Sequence, residues 1–273
     1  MGFYAVSTTM LARPEPGKKK LFYADDGTGG GKLQDLAEWW CDLKLEAPMY
    51  GYFPYPPKSW LITKPQFYDR AKELFPDVNV TIEGHGVLGS FIGNRAGTEK
   101  FMEEKVTEWS ADIEALVKVA EFDTHFAYTA YVYGTACRWQ FVCRTTPEIS
   151  ELLQKLEDLT RNKLIPAIIN RNHCSDELGS ILKLPARAGG MSLQNPTEES
   201  DAVYANSILA TAQLTNAIYE QHERLDIDVE AEEQAMKEVS TRNSARQQQM
   251  QEELASGLSE TTLKLLLLSA EKA

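Results

Sequence analysis

The sequence predicts an α+β fold. A small antiparallel sheet with helices is expected over residues 1–95, an all-helical region over 96–196, and an acidic helical tail, partly exposed, over 197–273. Three observations predict it. Apolar runs of strand length (Leu21–Tyr23, Trp60–Ile62, Val78–Ile82) lie between Gly, Pro and Asp in the first third. From Thr98 onward apolar residues recur at helical spacing. From Asp226 to Glu253 the chain is nearly all polar, with only Ile227, Val229, Met236, Val239 and Met250 to bury among the larger side chains.

A chain of 273 residues has room for one large domain or two small ones with a real core. At 43% hydrophobic and 25% charged its composition is that of an ordinary soluble protein. The net charge of −12 argues against contact with phosphate, which needs Lys and Arg. Its distribution weakens that objection: 15 acidic and 6 basic residues fall from Thr197 on, leaving 25 acids against 22 bases before it. The longest apolar run, Leu265–Leu268, is far too short to span a bilayer. Lys18, Lys19 and Lys20 follow the mildly apolar start instead of preceding it, and Val6 stands where myristoylation wants Ser or Thr. An intracellular, non-secreted protein is expected. Cys41, Cys137, Cys143 and Cys174 are widely spaced and read as reduced thiols, and the sequon Asn79-Val80-Thr81 should be silent.

The chain is organised around Leu21-Phe22-Tyr23-Ala24-Asp25-Asp26, a short strand carrying two adjacent carboxylates to its end. Two neighbouring acids repel, so a fold tolerates them mainly where a cation or solvent neutralises them. Hard oxygen ligands of this kind suit Mg²⁺, held by one or two carboxylates together with substrate phosphates. The alternative is an exposed Asp-Asp-Gly turn. Gly27–Gly31 and Lys32 fail the P-loop test, with Asp26 and Leu33 where Gly and Ser or Thr are required, and read as a flexible loop ahead of a helix. Leu33, Leu36, Trp39, Trp40 and Leu43 give that helix its apolar face. An aromatic, proline-interrupted loop (Tyr50–Pro57) precedes a strand over Lys58–Thr63. A helix over Pro65–Leu74, a strand over Val78–Ile82 and a glycine-flanked apolar segment over Val87–Gly93 complete the first third.

Tyr23-Ala24-Asp25-Asp26 after apolar residues resembles the Tyr-x-Asp-Asp motif of reverse transcriptases, in the Tyr-Ala-Asp-Asp form common among retrotransposons. The order of the downstream elements extends the resemblance. Gly51 with Lys58 looks like the family's Gly loop and strand-opening lysine. Leu88-Gly89 with Ile92 looks like its primer-gripping hairpin, and Phe3-Tyr4-Ala5 like the end of the helix before the motif. Leu184-Pro185…Gly189-Gly190-Met191-Ser192-Leu193 resembles an element found after the thumb in many retrotransposon polyproteins. One departure is plain: the family continues past the second Asp with an apolar strand, where this chain has glycines.

The helical region is read from its stripes. Phe101, Lys105, Trp109, Ile113, Leu116 and Ala120 share one, and Leu152, Leu153, Leu156 and Leu159 share another after Pro147. Spaced basic residues from Arg138 to Arg187 read as solvated helix faces, with a template backbone as the alternative. A long helix starts near Asn195-Pro196-Thr197 with Thr197 as its cap and runs to about Gln221.

The resemblance implies a partial polymerase palm followed by a thumb-like region, and RNA-directed DNA polymerisation on an RNA template and DNA primer with deoxynucleotides. Asp25 and Asp26 would hold Mg²⁺ (or Mn²⁺), Tyr23 would lie against primer or nucleotide, Leu88 and Gly89 would grip the primer, and Lys58 would neutralise the leaving pyrophosphate. Family members use a third Asp on an upstream strand and a fingers region; residues 1–22 contain no Asp. A fragment inactive by itself is therefore expected. The competing expectation is a helical protein-interaction module derived from such an element.

Overall fold

The computed structural model describes Thr8, residues 11–222, Arg224 and residues 226–257. The resemblance carried by Phe3-Tyr4-Ala5 and the run Leu265–Leu268 lie outside the described residues. The fold is mixed α+β, mostly helical with small sheets. Among the described residues no helix is long and apolar enough to cross a membrane.

Strands β1 (Lys18–Tyr23) and β2 (Asp26–Gly31) pair antiparallel. β3 (Trp60–Ile62) and β4 (Asn79–Thr81) pair in parallel. β5 (Gly84–Val87) and β6 (Ser90–Gly93) form a hairpin. These are separate two-stranded sheets, which corrects the expectation of one antiparallel sheet running past the acidic turn. The parallel pair arises because the helix Tyr68–Leu74 supplies a crossover between β3 and β4, which a hairpin does not need. Asn79 Nδ2 donates to the carbonyls of Pro57 (2.8 Å) and Ser59 (3.2 Å), so the sequon's asparagine is already engaged.

The chain divides into two compact units. Of the described residues, the first comprises those up to His85, Gly93–Gly97 and those within Thr211–Glu232; the second comprises Gly86–Ile92, Thr98–Ala210 and those from Glu233 on. The first has a small core in which Leu36, Ala37, Trp40 and Leu43, from the helix Leu33–Glu46, meet Leu11, Ala47 and Phe75. That is the predicted apolar face, with Trp39 half-buried at its side.

The second unit has the larger core. Met102, Val106, Trp109 and Ile113 from the helix Arg95–Ala120 pack with Tyr131, Trp139, Val142, Leu153, Leu156 and Leu164. Trp139 sits between Trp109 and Tyr131 at ring-centroid distances of 6.1 and 5.7 Å. Two helical segments widen into π turns, Tyr131–Thr135 and Thr160–Leu164. The buried Tyr131 and Thr160 hydroxyls join these turns at 3.3 Å, so neither polar group is buried alone. The stripe predicted over Leu152–Leu159 buries Leu153 and Leu156.

The helix Pro196–Glu220 begins where predicted, but Asn195 caps it instead of Thr197: its Oδ1 accepts from the Thr197 N–H at 2.9 Å. The polar stretch after Asp226 is one exposed helix, Val229–Gly257, whose buried residue is Leu254. It is also clasped. Arg246 donates to the Glu199 carboxylate at 2.8 Å and to the Glu198 carbonyl at 2.6 Å, and Asn206 donates to Asn243 at 2.8 Å. Burial holds the Glu199 carboxyl above its usual range, with Arg246 opposing the shift.

This clasp sets a pH dependence. Glu199 binds its proton more tightly in the folded chain than in the unfolded one, so protonating it favours the fold as pH falls toward the ordinary glutamate range. Removing Arg246 takes away the ion-pair partner of that half-buried charge and leaves Lys183 as the remaining cation that favours it. Arg246→Ala should cost about 1–3 kcal/mol at pH 7. The deficit against wild type should shrink toward pH 5. Urea denaturation at both values checks this, and a deficit equal or larger at pH 5 contradicts it.

Candidate functional site

The Tyr-Ala-Asp-Asp segment is the tip of the β1–β2 hairpin. Tyr23 pairs with Asp26, which makes Ala24 and Asp25 the turn residues. Of these two, only Ala24 has positive φ (54°), the pattern of a type II′ turn. That turn matches the twist of the flanking strands, at the cost of a conformation glycine adopts more readily than alanine. Along β1 the side chains alternate: Leu21 and Tyr23 are exposed while Phe22 is half-buried toward the core. Asp25 and Asp26 are both exposed at the tip.

The glycine run is a strand, not the expected flexible loop, and the reason is close approach. A Cβ on Gly27 would lie 2.8 Å from the Phe22 ring, one on Gly29 2.3 Å from the Trp39 ring, and one on Gly31 2.7 Å from the Gly17 carbonyl oxygen. Alternate residues of a strand share a face. These glycines therefore give β2 one face with no side chains, against which aromatic rings and backbone lie directly.

Two side chains outside the motif hold the hairpin. At its tip, the Tyr52 hydroxyl donates to the Asp25 carbonyl at 3.0 Å, and the Tyr52 ring meets Phe22 edge-on with centroids 5.8 Å apart. Burial pushes the Tyr52 phenol up, and the Asp26 and Asp25 charges push it further, so it stays a donor at neutral pH. At the base, Gln221 pairs with both backbone groups of Lys20. Its Oε1 accepts from the Lys20 N–H (2.8 Å) and its Nε2 donates to the Lys20 carbonyl (3.0 Å). The side-chain amide thus satisfies part of the edge of β1 that faces away from β2. Nearby, the Lys19 ammonium lies 4.6 Å from the Tyr219 ring centroid.

The other candidates are dispersed. Lys58 is exposed and ends a 3₁₀ turn, Pro56–Lys58, two residues before β3; it does not open the strand as expected, because Pro56 and Pro57 favour the turn. Leu88 and Gly89, with φ of 50° and 83°, form the tight turn between β5 and β6, the hairpin geometry that was expected of them. Leu88 is exposed, and a Cβ on Gly89 would lie 3.3 Å from the Phe141 ring, so these residues belong to the second unit. The structure brings Tyr23, Asp25 and Asp26 together in the first unit, and joins Tyr52 and Gln221 to them. The aromatic Tyr50–Pro57 loop signalled Tyr52 only in general terms. Nothing in the sequence signalled Gln221.

Two adjacent carboxylates on a tight turn are hard oxygen donors of the kind Mg²⁺ takes together with substrate phosphates, so the pair fits that ion in part. A pair of ions needs more, and among the described residues no group of three or more His, Cys, Asp or Glu is placed to hold a metal. Compared with known proteins, the chain matches no family model, no curated protein and no solved structure.

Two substitutions test this construction. Gly29→Ala drives a methyl group into Trp39 and should destabilise the first unit by about 1–3 kcal/mol, read by urea denaturation. Gln221→Ala frees the Lys20 amide, which should exchange with solvent about tenfold faster while amides in the second unit are unchanged. Unchanged protection at Lys20 would show that the amide pair does not hold the strand.

Proposed function

We propose that this chain is part of a retrotransposon-type RNA-directed DNA polymerase, comprising the C-terminal portion of a palm and a thumb-like helical region. The observation that carries the reading is the Tyr-Ala-Asp-Asp hairpin: both acids stand exposed at a two-residue turn, on a strand buried by one face. The Leu88-Gly89 hairpin turn adds support. In this reading Asp25 and Asp26 hold Mg²⁺ or Mn²⁺, and Tyr23, 59% exposed beside them, offers a ring to a primer end or nucleotide. A bound ion would supply charge neutralisation at the attacking and leaving oxygens of nucleotidyl transfer. Lys58, Leu88 and Gly89 keep the roles of pyrophosphate neutralisation and primer contact as part of the same proposal. RNA template, DNA primer and deoxynucleotides are the proposed partners, in an intracellular setting.

The alternative is a helical protein-interaction module descended from such an element. What favours it is that no third carboxylate joins Asp25 and Asp26 among the described residues. One experiment separates the two. Mg²⁺ titration followed by amide NMR should shift residues around Tyr23–Gly27 at millimolar metal and leave the rest in place, and an Asp25→Ala, Asp26→Ala variant should abolish the response. Primer extension on an RNA template should stay at background, since two carboxylates leave the second ion unplaced. A chain indifferent to millimolar Mg²⁺ and Mn²⁺ would favour the interaction module.

A further inference from the structure

We infer that Tyr52 is a positioning residue for the acidic turn: its hydroxyl, bonded to the Asp25 carbonyl, fixes the turn peptide and thereby the orientation in which Asp25 and Asp26 are presented together. The consequence for metal affinity rests on the proposed metal-holding role of these two acids.

The argument begins with what a two-residue turn lacks. Asp25 sits between Ala24, in a strained left-handed conformation, and Asp26, the first residue of β2. An exposed turn of this kind, bearing two like charges, has every reason to fray: repulsion between the carboxylates is relieved when the peptide between them rotates. A hydrogen bond to the Asp25 carbonyl opposes that rotation, because this carbonyl belongs to the peptide joining the two acids. Tyr52 supplies the bond at 3.0 Å.

The donor is itself immobilised. Gly51, with φ of 76°, ends the short 3₁₀ turn Ala47–Tyr50 that follows the helix Leu33–Glu46, and the Tyr52 N–H is bonded to the Ala47 carbonyl at 3.1 Å. Ala47 is fully buried in the first unit's core. The ring is set edge-on against Phe22 on β1. Gly27 leaves room for the phenol: a Cβ there would come within 3.2 Å of the Tyr52 hydroxyl oxygen. Tyr52 thus reaches from the core to the hairpin tip and touches the strand before the acids, the peptide between them and the residue after. Its hydroxyl touches no reacting atom, so its role is to position, not to catalyse.

The test is Tyr52→Phe, which keeps the ring and its packing on Phe22 and removes the hydroxyl, both as donor to the Asp25 carbonyl and as acceptor facing the Gly27 N–H. Two readouts are needed. In metal-free protein, the carbonyl ¹³C resonance of Asp25 should move on loss of the bond, while Phe22 and the core amides of Leu36 and Trp40 stay in place. In a Mn²⁺ titration followed by paramagnetic broadening of the Tyr23–Gly27 amides, Tyr52→Phe should bind about fivefold more weakly than wild type, and Tyr52→Leu no better than Tyr52→Phe. Wild-type binding with unchanged affinity in Tyr52→Phe overturns the positioning role and leaves the proposed function standing. No Mn²⁺ response in wild type overturns the proposed function and, with it, the metal consequence; the Asp25 carbonyl shift then decides the turn-fixing claim by itself. An unmoved Asp25 carbonyl overturns that claim whatever the metal does.

Discussion

The first unit depends on one steric subtraction, the absence of side chains from one face of β2. Because Gly29 has no Cβ, the Trp39 ring lies directly on the hairpin, and the helix Leu33–Glu46 can approach it closely. The same helix turns Leu36, Trp40 and Leu43 into the core, so the contact at Gly29 sets where the core stands relative to the acidic tip. An isolated two-stranded hairpin is marginal in water, whatever its turn. Here its order is borrowed from Trp39 against the glycine face, Gln221 along the free edge of β1, and Tyr52 at the tip.

The two units reach stability by different routes. In the second, a broad set of fully buried apolar residues dominates, and polar links such as Tyr131 to Thr160 mainly keep buried groups satisfied. Burial, with a smaller push from the Asp201 charge, raises the Cys143 thiol there to about 12, which marks it as an inert core residue and not a nucleophile. The first unit buries less, and its specificity comes from directional contacts: Trp40 Nε1 to Asp77 at 3.1 Å, Lys20 to Glu15 at 2.5 Å, and the Tyr52 and Gln221 bonds. A unit held this way is specified more by a few directional contacts than by the breadth of its core.

How much of the fold was legible in the sequence depends on the range of each interaction. Helical periodicity is local, so the helices Leu33–Glu46, Arg95–Ala120 and Pro196–Glu220 were readable from their own residues. The strand leading to Asp25 and the tight turn at Leu88-Gly89 were readable for the same reason. The glycine strand was not. Propensity rejects Gly-rich strands because glycine loses most entropy and offers nothing to pack, and the close approach of Phe22, Trp39 and the Gly17 carbonyl reverses that judgement. The single sheet expected around the hairpin failed because partner choice for short strands is set by their connections, and the Tyr68–Leu74 crossover commits β3 to β4. Gln221 acts across two hundred residues of sequence through one side-chain amide, and no local pattern announces such a contact.

The distribution of charge on the hairpin bears on the acidic tip as well. β1 begins with three lysines, and each is spent on the scaffold at its base: Lys18 and Lys20 on Glu15, at 2.8 and 2.5 Å, and Lys19 on the face of Tyr219. Lys20 is held with its side chain only 2% exposed, and the Glu15 carboxyl is correspondingly kept below its usual range by its bonds to Lys18 and Lys20. The hairpin is thus polarised along its length, with its cations engaged by Glu15 and Tyr219 at the base and its two anions exposed at the tip. Had the lysines been set beside Asp25 and Asp26, the pair would read as part of a surface ion cluster. Directed away, they leave the acids to solvent, to each other, and to whatever positive group approaches the tip.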